Sequence, residues 1–124
     1  MATRHSSLWV PDRAEIIFIQ YNPHVGKEMP NEHPMLVVST KEFAARTSVV
    51  VGFPMTHSGS HADNPFAIAF PEADGQVGYV LTQQPKSFDW RARGARSHPL
   101  GTGHVKLLNA SLKRFDAIFG ICDH

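Results

Sequence analysis

The chain has 124 residues, of which 42% are apolar, and its 12 lysines and arginines nearly balance 11 acidic residues. This length and composition predict one domain with a modest core, and no apolar run comes near the 18 residues of a membrane-spanning helix. The near-neutral charge excludes a broad nucleic-acid-binding surface, so contact with a polyanion must come from local clusters. The N-terminal residues lack the apolar stretch of a signal peptide, which favours a cytoplasmic location. The single cysteine, Cys122, cannot form an internal disulfide.

Runs of β-branched and aromatic residues that end at turn residues predict five β-strands. They span residues 15–21, 35–38, 48–55, 66–70 and 76–82. Two polar stretches rich in turn residues, 23–34 and 57–65, are predicted to be long loops. Between the second and third strands, Ser39 and Glu42 have the spacing of a capping box, which predicts a short helical turn to about residue 46.

The C-terminal segment changes from the period of a strand to that of a helix. Its apolar residues recur at steps of three and four, as a helix packed on a sheet requires: Val105, Leu108, Leu112, Phe115 and Phe119. Thr102 or Gly103 is expected to cap the start of this helix, and Gly120 its end. Strands followed by one terminal helix predict a mainly β fold, a partly open barrel with a C-terminal α-helix. We expect a single domain over 1–124, with a short flexible N-terminus at 1–8.

Two blocks of sequence are not explained by folding alone. They are WVPDRAEIIFIQYNP at 9–23 and QQPKSFDWRAR at 83–93. Four segments, in this order, carry a likeness to a known family: VPD at 10–12 with Asn22-Pro23; Gly26 and Glu28 followed by Pro34 and LVVS at 36–39; Pro54 with Thr56; and KSFDWRARGA at 86–95. Over nearly the whole chain, the sequence resembles the MazF/PemK family of toxin endoribonucleases.

The resemblance implies an SH3-like barrel that forms a homodimer and is neutralised by an antitoxin, whose disordered acidic tail wraps the toxin. It also implies cleavage of single-stranded RNA without a metal or another cofactor. In that reaction the ribose 2′-OH attacks the neighbouring phosphate. A base must take its proton, an acid must protonate the leaving oxygen, and donors must hold the charge that develops on the phosphoryl oxygens.

The resemblance also indicates catalytic positions, one of which departs from the family. The family has an Arg before the proline of the second strand and a Thr or Ser after the third strand. Here the hydroxyl is Thr56, but His33 takes the place of the Arg. A histidine can act as acid or base, although it holds phosphate less firmly than the two-pronged guanidinium. We expect Glu28 and His57 to converge with these two residues beside the loops. Each of the four also has a purely structural interpretation, as a solvated loop side chain or a strand-end hydroxyl.

The residues expected to bind RNA lie in the second block and in the first loop: Lys27, Gln83, Gln84, Lys86, Arg91 and Arg93. The basic side chains can neutralise phosphates, and Gln84 can hydrogen-bond a base edge. Gln83 stands where the family commonly has Asp or Asn. Tyr21 or Phe53 can stack on a base if exposed, whereas Trp90 is expected to pack against the barrel.

Other functions stay open at this stage. His57 and His61 are four residues apart, but across a loop and without a cysteine or carboxylate pair at ligand spacing, so no metal site is predicted. The favoured function is a sequence-selective endoribonuclease toxin. The alternative is a catalytically weakened member that binds RNA or a protein, for which the His33 and Gln83 departures are the evidence. Inhibition of a topoisomerase, known for a related fold, is a third possibility.

Overall fold

A computed structural model describes residues 9–23, 25–28 and 31–120 of the chain. The predicted flexible N-terminus at 1–8 and Cys122 lie outside these residues. Neither of the two α-helices in the described ranges has the length and apolar character needed to cross a membrane.

Within the described residues, seven antiparallel strands form one sheet, and two α-helices flank it. The strands are β1 (Ile16–Gln20), β2 (Glu32–Val37), β3 (Val49–Thr56), β4 (Ala67–Pro71), β5 (Val77–Leu81), β6 (Lys86–Asp89) and β7 (Arg96–Ser97). The helices are α1 (Lys41–Thr47) and α2 (Val105–Phe119), and a short 3₁₀ turn spans Gly59–His61. The strand order is β4-β5-β3-β2-β1-β7, with β6 paired to the first half of β3. The predicted fold class, mainly β with a C-terminal helix, is confirmed.

The five predicted strands are all present, but β2 is longer than expected. It begins at Glu32 rather than residue 35, because Glu32 and His33 pair with Gln20 and Ile19 of β1. His33 therefore lies in a strand and not in the predicted loop. The sequence prediction also missed β6 and β7, whose short, polar segments KSFD and RS lack the apolar alternation of a half-buried strand.

Strand β1 is buried on both faces, which explains its unbroken apolar run. Ile17 and Ile19 pack into one core cluster with Trp90, whereas Ile16 packs into a second cluster with Leu108 of α2. Trp90 is only 6% exposed, and its indole N–H donates to the Ala44 carbonyl at 2.9 Å. The expected packing of Trp90 against the barrel is thus confirmed.

Thr40, rather than Ser39, caps the N-terminus of α1. The Thr40 Oγ1 accepts a hydrogen bond from the Phe43 N–H at 3.2 Å. The Ser39 hydroxyl instead bonds to β3, where it accepts a hydrogen bond from the Val51 N–H at 2.9 Å. The capping-box prediction was therefore wrong by one residue.

At the start of α2, the predicted caps are also wrong. His104 occupies the N-cap position, and within the described residues its side chain makes no capping hydrogen bond. Thr102 and Gly103 precede it, with Gly103 at φ +83° in the connecting turn. The predicted end at Gly120 is confirmed: it lies at φ 62°, and its N–H donates to the Asp116 carbonyl.

Asp89 fixes the turn that follows β6. Its Oδ1 accepts hydrogen bonds from the Ala92 N–H at 3.0 Å and from the Ser48 hydroxyl at 2.8 Å. The Ala92 bond is the main reason that the pKa of Asp89 falls below its usual value, and the Ser48 bond adds to it. These bonds hold the turn that carries Trp90 and Arg91.

Candidate functional site

A cavity of about 280 Å³ lies at the end of β3, where this strand enters the polar 57–65 loop. Its lining comes from β2, β3, the β4–β5 hairpin and the segment after β7. The lining side chains able to donate, accept or transfer protons include His33, Thr56, His57, Glu72 and His98. This cavity is our candidate active site.

Strand register explains why His33 and Thr56 meet there. In the β2–β3 pair, Met35 lies opposite Pro54. Antiparallel pairing runs in opposite directions along the two chains, so continuing this register by two residues brings His33 opposite Thr56. His57 follows directly, and all three side chains line the cavity. The structure therefore brings together three of the four residues expected to be catalytic.

Glu28, the fourth, is not among the residues lining the cavity. Its carboxylate lies 2.9 Å from the Lys86 Nζ and also accepts from the Val25 N–H at 3.0 Å. Lys86 pairs with Gly52, four residues before Thr56 on β3, or about 13 Å along the strand. Glu28 thus does not line the cavity with the other three residues, and its part in catalysis stays a prediction.

His33 is half-buried against the core through Tyr21. The two rings meet edge to face, with centroids 6.1 Å apart, and the Tyr21 hydroxyl donates to the Pro34 carbonyl at 3.0 Å. Burial raises the pKa of Tyr21 well above its ordinary value, so this donor keeps its proton. Tyr21 and Phe53 are each only 2% exposed, so the exposure that either would need to stack on an RNA base is lacking.

Thr56 has a hydroxyl that can act on a ligand. Its Oγ1 accepts the Ser58 N–H at 3.2 Å, which leaves the hydroxyl proton to donate. Thr56 therefore also has the structural role of a strand-end hydroxyl that bonds to the backbone. Because Thr56 is half-buried, the hydroxyl is held by its strand yet reaches the cavity.

Glu72 and His98 were missed by sequence reasoning. The Glu72 carboxylate lies 2.6 Å from Nε2 of His57. Burial lowers the pKa of His98 below its ordinary 6.5; the charge of Glu72 acts in the opposite direction, while Arg96, His57 and His104 add to the lowering. The sequence contained no sign of the cluster of His57, Glu72 and His98 apart from the large number of histidines in the chain. Only the sheet brings these three residues together.

Most of the basic residues expected to bind RNA have structural partners. Arg93 donates from Nη1 to the carbonyls of Gln20 at 3.0 Å and Asn22 at 2.7 Å, so it ties the end of β1 to the turn after β6. Lys86 forms the ion pair with Glu28. Lys27 is exposed, which suits contact with a phosphate.

Arg91 lies far from the cavity. Its guanidinium stacks on Trp90 at 4.3 Å, and the backbone N–H of Trp90 donates to the Ser48 carbonyl. Ser48 precedes Thr56 by eight residues, which is about 25 Å of extended strand. Arg91 therefore lies well outside the cavity, and its contact with RNA stays a prediction.

Gln83 and Gln84 are half-buried in the turn after β5. Among the described residues, neither amide oxygen has a hydrogen-bond partner, although both oxygens are shielded from solvent. Contact of Gln84 with a base edge stays a prediction. Over residues 9–23, 25–28 and 31–120, no three His, Cys, Asp or Glu side chains are grouped as metal ligands.

Comparisons with known proteins agree with this fold. A model of the PemK-like, MazF-like toxins of type II toxin–antitoxin systems matches residues 12–119. The endoribonuclease toxin MazF of Escherichia coli K12 is 30% identical over 89 residues, which are 72% of this chain and 78% of that protein. The crystal structure of MazF from Deinococcus radiodurans is 26% identical, with a TM-score of 0.80 over 91% of this chain and 99% of the other.

A mycobacterial endoribonuclease in complex with its cognate antitoxin shares the fold at a TM-score of 0.66, with 18% identity over 90% of this chain and 97% of the other. A Deinococcus radiodurans MazE–MazF complex gives a TM-score of 0.75 at 24% identity, over 92% of this chain and 100% of the other. The family model covers well over half of the sequence. This chain therefore belongs to the PemK-like, MazF-like family of toxins of type II toxin–antitoxin systems.

Proposed function

We infer that the protein is a toxin endoribonuclease that cuts single-stranded RNA at selected sequences, without a metal, by attack of the ribose 2′-OH. The observation that carries this proposal is the cavity at the end of β3, where His33, Thr56 and His57 come together. The similarity to the Escherichia coli endoribonuclease toxin MazF supports the same activity. A cavity of about 280 Å³ is near the lower limit of ligand pockets, which suits one nucleotide of a longer strand.

The three side chains match the needs of the reaction. A bond forms between O2′ and phosphorus while the bond from phosphorus to O5′ breaks. One histidine takes the 2′-OH proton and the other protonates O5′ as it leaves, which is the ordinary work of imidazole near neutral pH. The Thr56 hydroxyl donates to a phosphoryl oxygen as negative charge develops there. The products are a 2′,3′-cyclic phosphate and a 5′-hydroxyl end.

The substitution at His33 sets the expected rate. An arginine would hold the phosphate through two parallel hydrogen bonds and a permanent charge, which a histidine cannot match. Loss of one preorganised donor costs on the order of 10²–10³ in rate. The proposal therefore includes slower cleavage than in a relative that keeps the arginine, unless other donors in the cavity replace it.

The proposal extends to the assembly. Solved relatives of the same fold are complexes with an antitoxin, which supports neutralisation of this chain by an antitoxin of its own. A homodimer and a cytoplasmic location are part of the same proposal and rest on the family resemblance.

The test is to incubate the purified protein with a long unstructured RNA in EDTA and to map both ends of every product. Thr56→Ala and Thr56→Ser form a matched pair, because only the serine keeps the hydroxyl. We expect discrete cuts with 5′-hydroxyl ends from the native chain and from Thr56→Ser, and their loss in Thr56→Ala.

His33→Arg separates an active enzyme from a disabled one. Cuts from this variant but none from the native chain would refute the proposed activity and favour the alternative, a member of the family that binds RNA or a protein. Cuts that appear only after a divalent cation is added would refute metal independence alone.

A further inference from the structure

His57 and Glu72 form a histidine–carboxylate pair at the rim of the cavity. The His57 Nε2 lies 2.6 Å from the Glu72 Oε2, and a carboxylate can only accept. The ring proton of a neutral His57 therefore lies on Nε2, which leaves Nδ1 with a lone pair. A carboxylate that fixes a histidine in this way also stabilises the imidazolium that forms when the ring takes a proton.

Glu72 is well placed to hold its partner in one orientation. It begins the β4–β5 turn, where its N–H donates to the Gln76 carbonyl at 2.8 Å. Its side chain is 13% exposed, compared with 49% for His57. Space for the carboxylate comes from Gly78, where an added Cβ would lie 3.0 Å from the Glu72 Oε2. The carboxylate is thus the fixed member of the pair.

His98 is held in the same Nε2–H tautomer as His57, but through its other ring nitrogen. Its Nδ1 accepts the Leu100 N–H at 3.0 Å, so the proton of a neutral ring lies on Nε2. The ring stacks on Phe18, with centroids 4.3 Å apart, which limits its rotation. Protonation of Nδ1 would break the Leu100 bond, and burial already disfavours the charged ring. His98 is consequently a neutral donor rather than an acid or a base.

Resting on the proposed function, we propose that Glu72 and His98 complete the active site and supply what the missing arginine would have given. Glu72 is a positioning residue that presents the Nδ1 of His57 as the base for the 2′-OH. His98 is a catalytic residue whose Nε2–H donates to a non-bridging phosphoryl oxygen.

The protons balance in this scheme. His57 gains the proton of the 2′-OH as the bond from O2′ to phosphorus forms. A protonated His33 gives its proton to O5′ as the bond from phosphorus to O5′ breaks. The hydrogen bonds from His98 and Thr56 hold the charge on the phosphoryl oxygens and transfer no proton.

A pair of variants at position 98 tests the donor role. The amide nitrogen of glutamine reaches about as far as Nε2 of histidine, whereas the shorter asparagine can mimic only Nδ1. His98→Asn keeps an acceptor for the Leu100 N–H but loses the donor, and we expect kcat/KM to fall by about 10²–10³. His98→Gln keeps the donor, and we expect it to stay within about tenfold of the native chain.

If His98 acts only through its structural bond to the Leu100 N–H, His98→Gln should lose more activity than His98→Asn. Native-like cleavage by His98→Asn, or a larger loss in His98→Gln, would overturn the proposal. Nitrogen NMR of the native protein gives a second test that needs no variant. A His98 ring with its proton on Nδ1 would also overturn it.

Glu72 is tested in the same paired way. Glu72→Gln can still accept from Nε2 of His57, whereas Glu72→Ala cannot. We expect Glu72→Ala to lower kcat on the order of 10²-fold with little change in KM, because a positioned base contributes about 10²–10⁴. Glu72→Gln should recover at least part of that loss. A rise in KM with unchanged kcat in Glu72→Ala would mean that the carboxylate acts in binding and would overturn its positioning role.

The outcomes separate this inference from the function on which it rests. If the native chain makes no cuts, the proposed function fails and the roles of Glu72 and His98 fail with it. If the native chain cuts RNA and Thr56→Ala does not, while the variants at positions 72 and 98 behave like the native chain, only the inference fails.

Discussion

Gly52 lies where three strands meet, and its replacement by alanine should destabilise the fold. It pairs with Val37 of β2 on one side and with Lys86 of β6 on the other. A Cβ at this position would lie 2.5 Å from the Leu36 carbonyl oxygen and 2.7 Å from the Met35 Cγ. Contacts this short force the strands to shift, since a backbone oxygen in a ladder cannot move alone.

The size of the effect follows from two opposing contributions. Overpacking of a filled core costs about 1–3 kcal/mol, and the upper end applies because backbone is involved. The lower freedom of an unfolded chain with alanine returns about 0.4–1 kcal/mol. We expect Gly52→Ala to lower the free energy of unfolding by about 2 kcal/mol. For 124 residues the Tm should fall by about 8 °C, at about 4 °C per kcal/mol.

Thermal and urea unfolding, followed by circular dichroism, measure this change. Gly59→Ala is the matched control, because a Cβ there would meet nothing within 4 Å, and its effect should stay within about 0.5 kcal/mol. A Gly52→Ala variant with a native Tm would show that β2, β3 and β6 do not meet in the described register. The placement of His33 opposite Thr56 would then lose its basis.

Three further predictions concern hydrogen bonds and protonation. Tyr21→Phe removes the donor to the Pro34 carbonyl, so the free energy of unfolding should fall by about 1–2 kcal/mol in urea titrations; an unchanged stability would show that this carbonyl is satisfied without it. His98 should titrate below 6.5 when its ring signals are followed by NMR. The unfolded chain then binds the proton at a higher pH than the folded chain does. The free energy of unfolding of the native chain should therefore fall as pH drops below about 6.5, and that of His98→Asn should fall less. The depressed pKa of Asp89 acts at lower pH: Asp89→Asn should be less stable than the native chain at neutral pH. That difference should shrink as pH falls below about 4, through the folded pKa of Asp89, and a constant difference would contradict the assignment.

Patterns with a clear physical period predicted the fold well. The apolar stripe of α2 and the apolar runs of β1 and β3 specify their elements, because burial requires that spacing. The segment containing His33, residues 23–34, was assigned to a loop because it contains three prolines, Gly26, two histidines and three charged residues. From Glu32 onward it forms a strand since β1 offers a complete set of backbone partners, and the Glu32 carboxylate pairs with Arg96 at 2.7 Å.

The site could be predicted only in part. Thr56 and His57 are neighbours in sequence, and the resemblance pointed to His33. Glu72 and His98 are brought to the same cavity by the β4–β5 hairpin and by β7, and no local pattern records such long-range contacts. Arg93 has a structural role that its sequence did not indicate. Its place in a basic cluster suggested RNA binding, yet its guanidinium donates to two backbone carbonyls.

The central claim is that the cavity at the end of β3 cleaves RNA through the ribose 2′-OH. Once a cleavage site has been mapped, a short oligonucleotide that contains it can be made with a single 2′-deoxy nucleotide on the 5′ side of the scissile phosphate. Cleavage should be abolished in that oligonucleotide and retained when the deoxy nucleotide is moved one position away. Continued cleavage at the deoxy position would show that the attacking oxygen comes from elsewhere, and the roles assigned to the side chains in this cavity would be wrong.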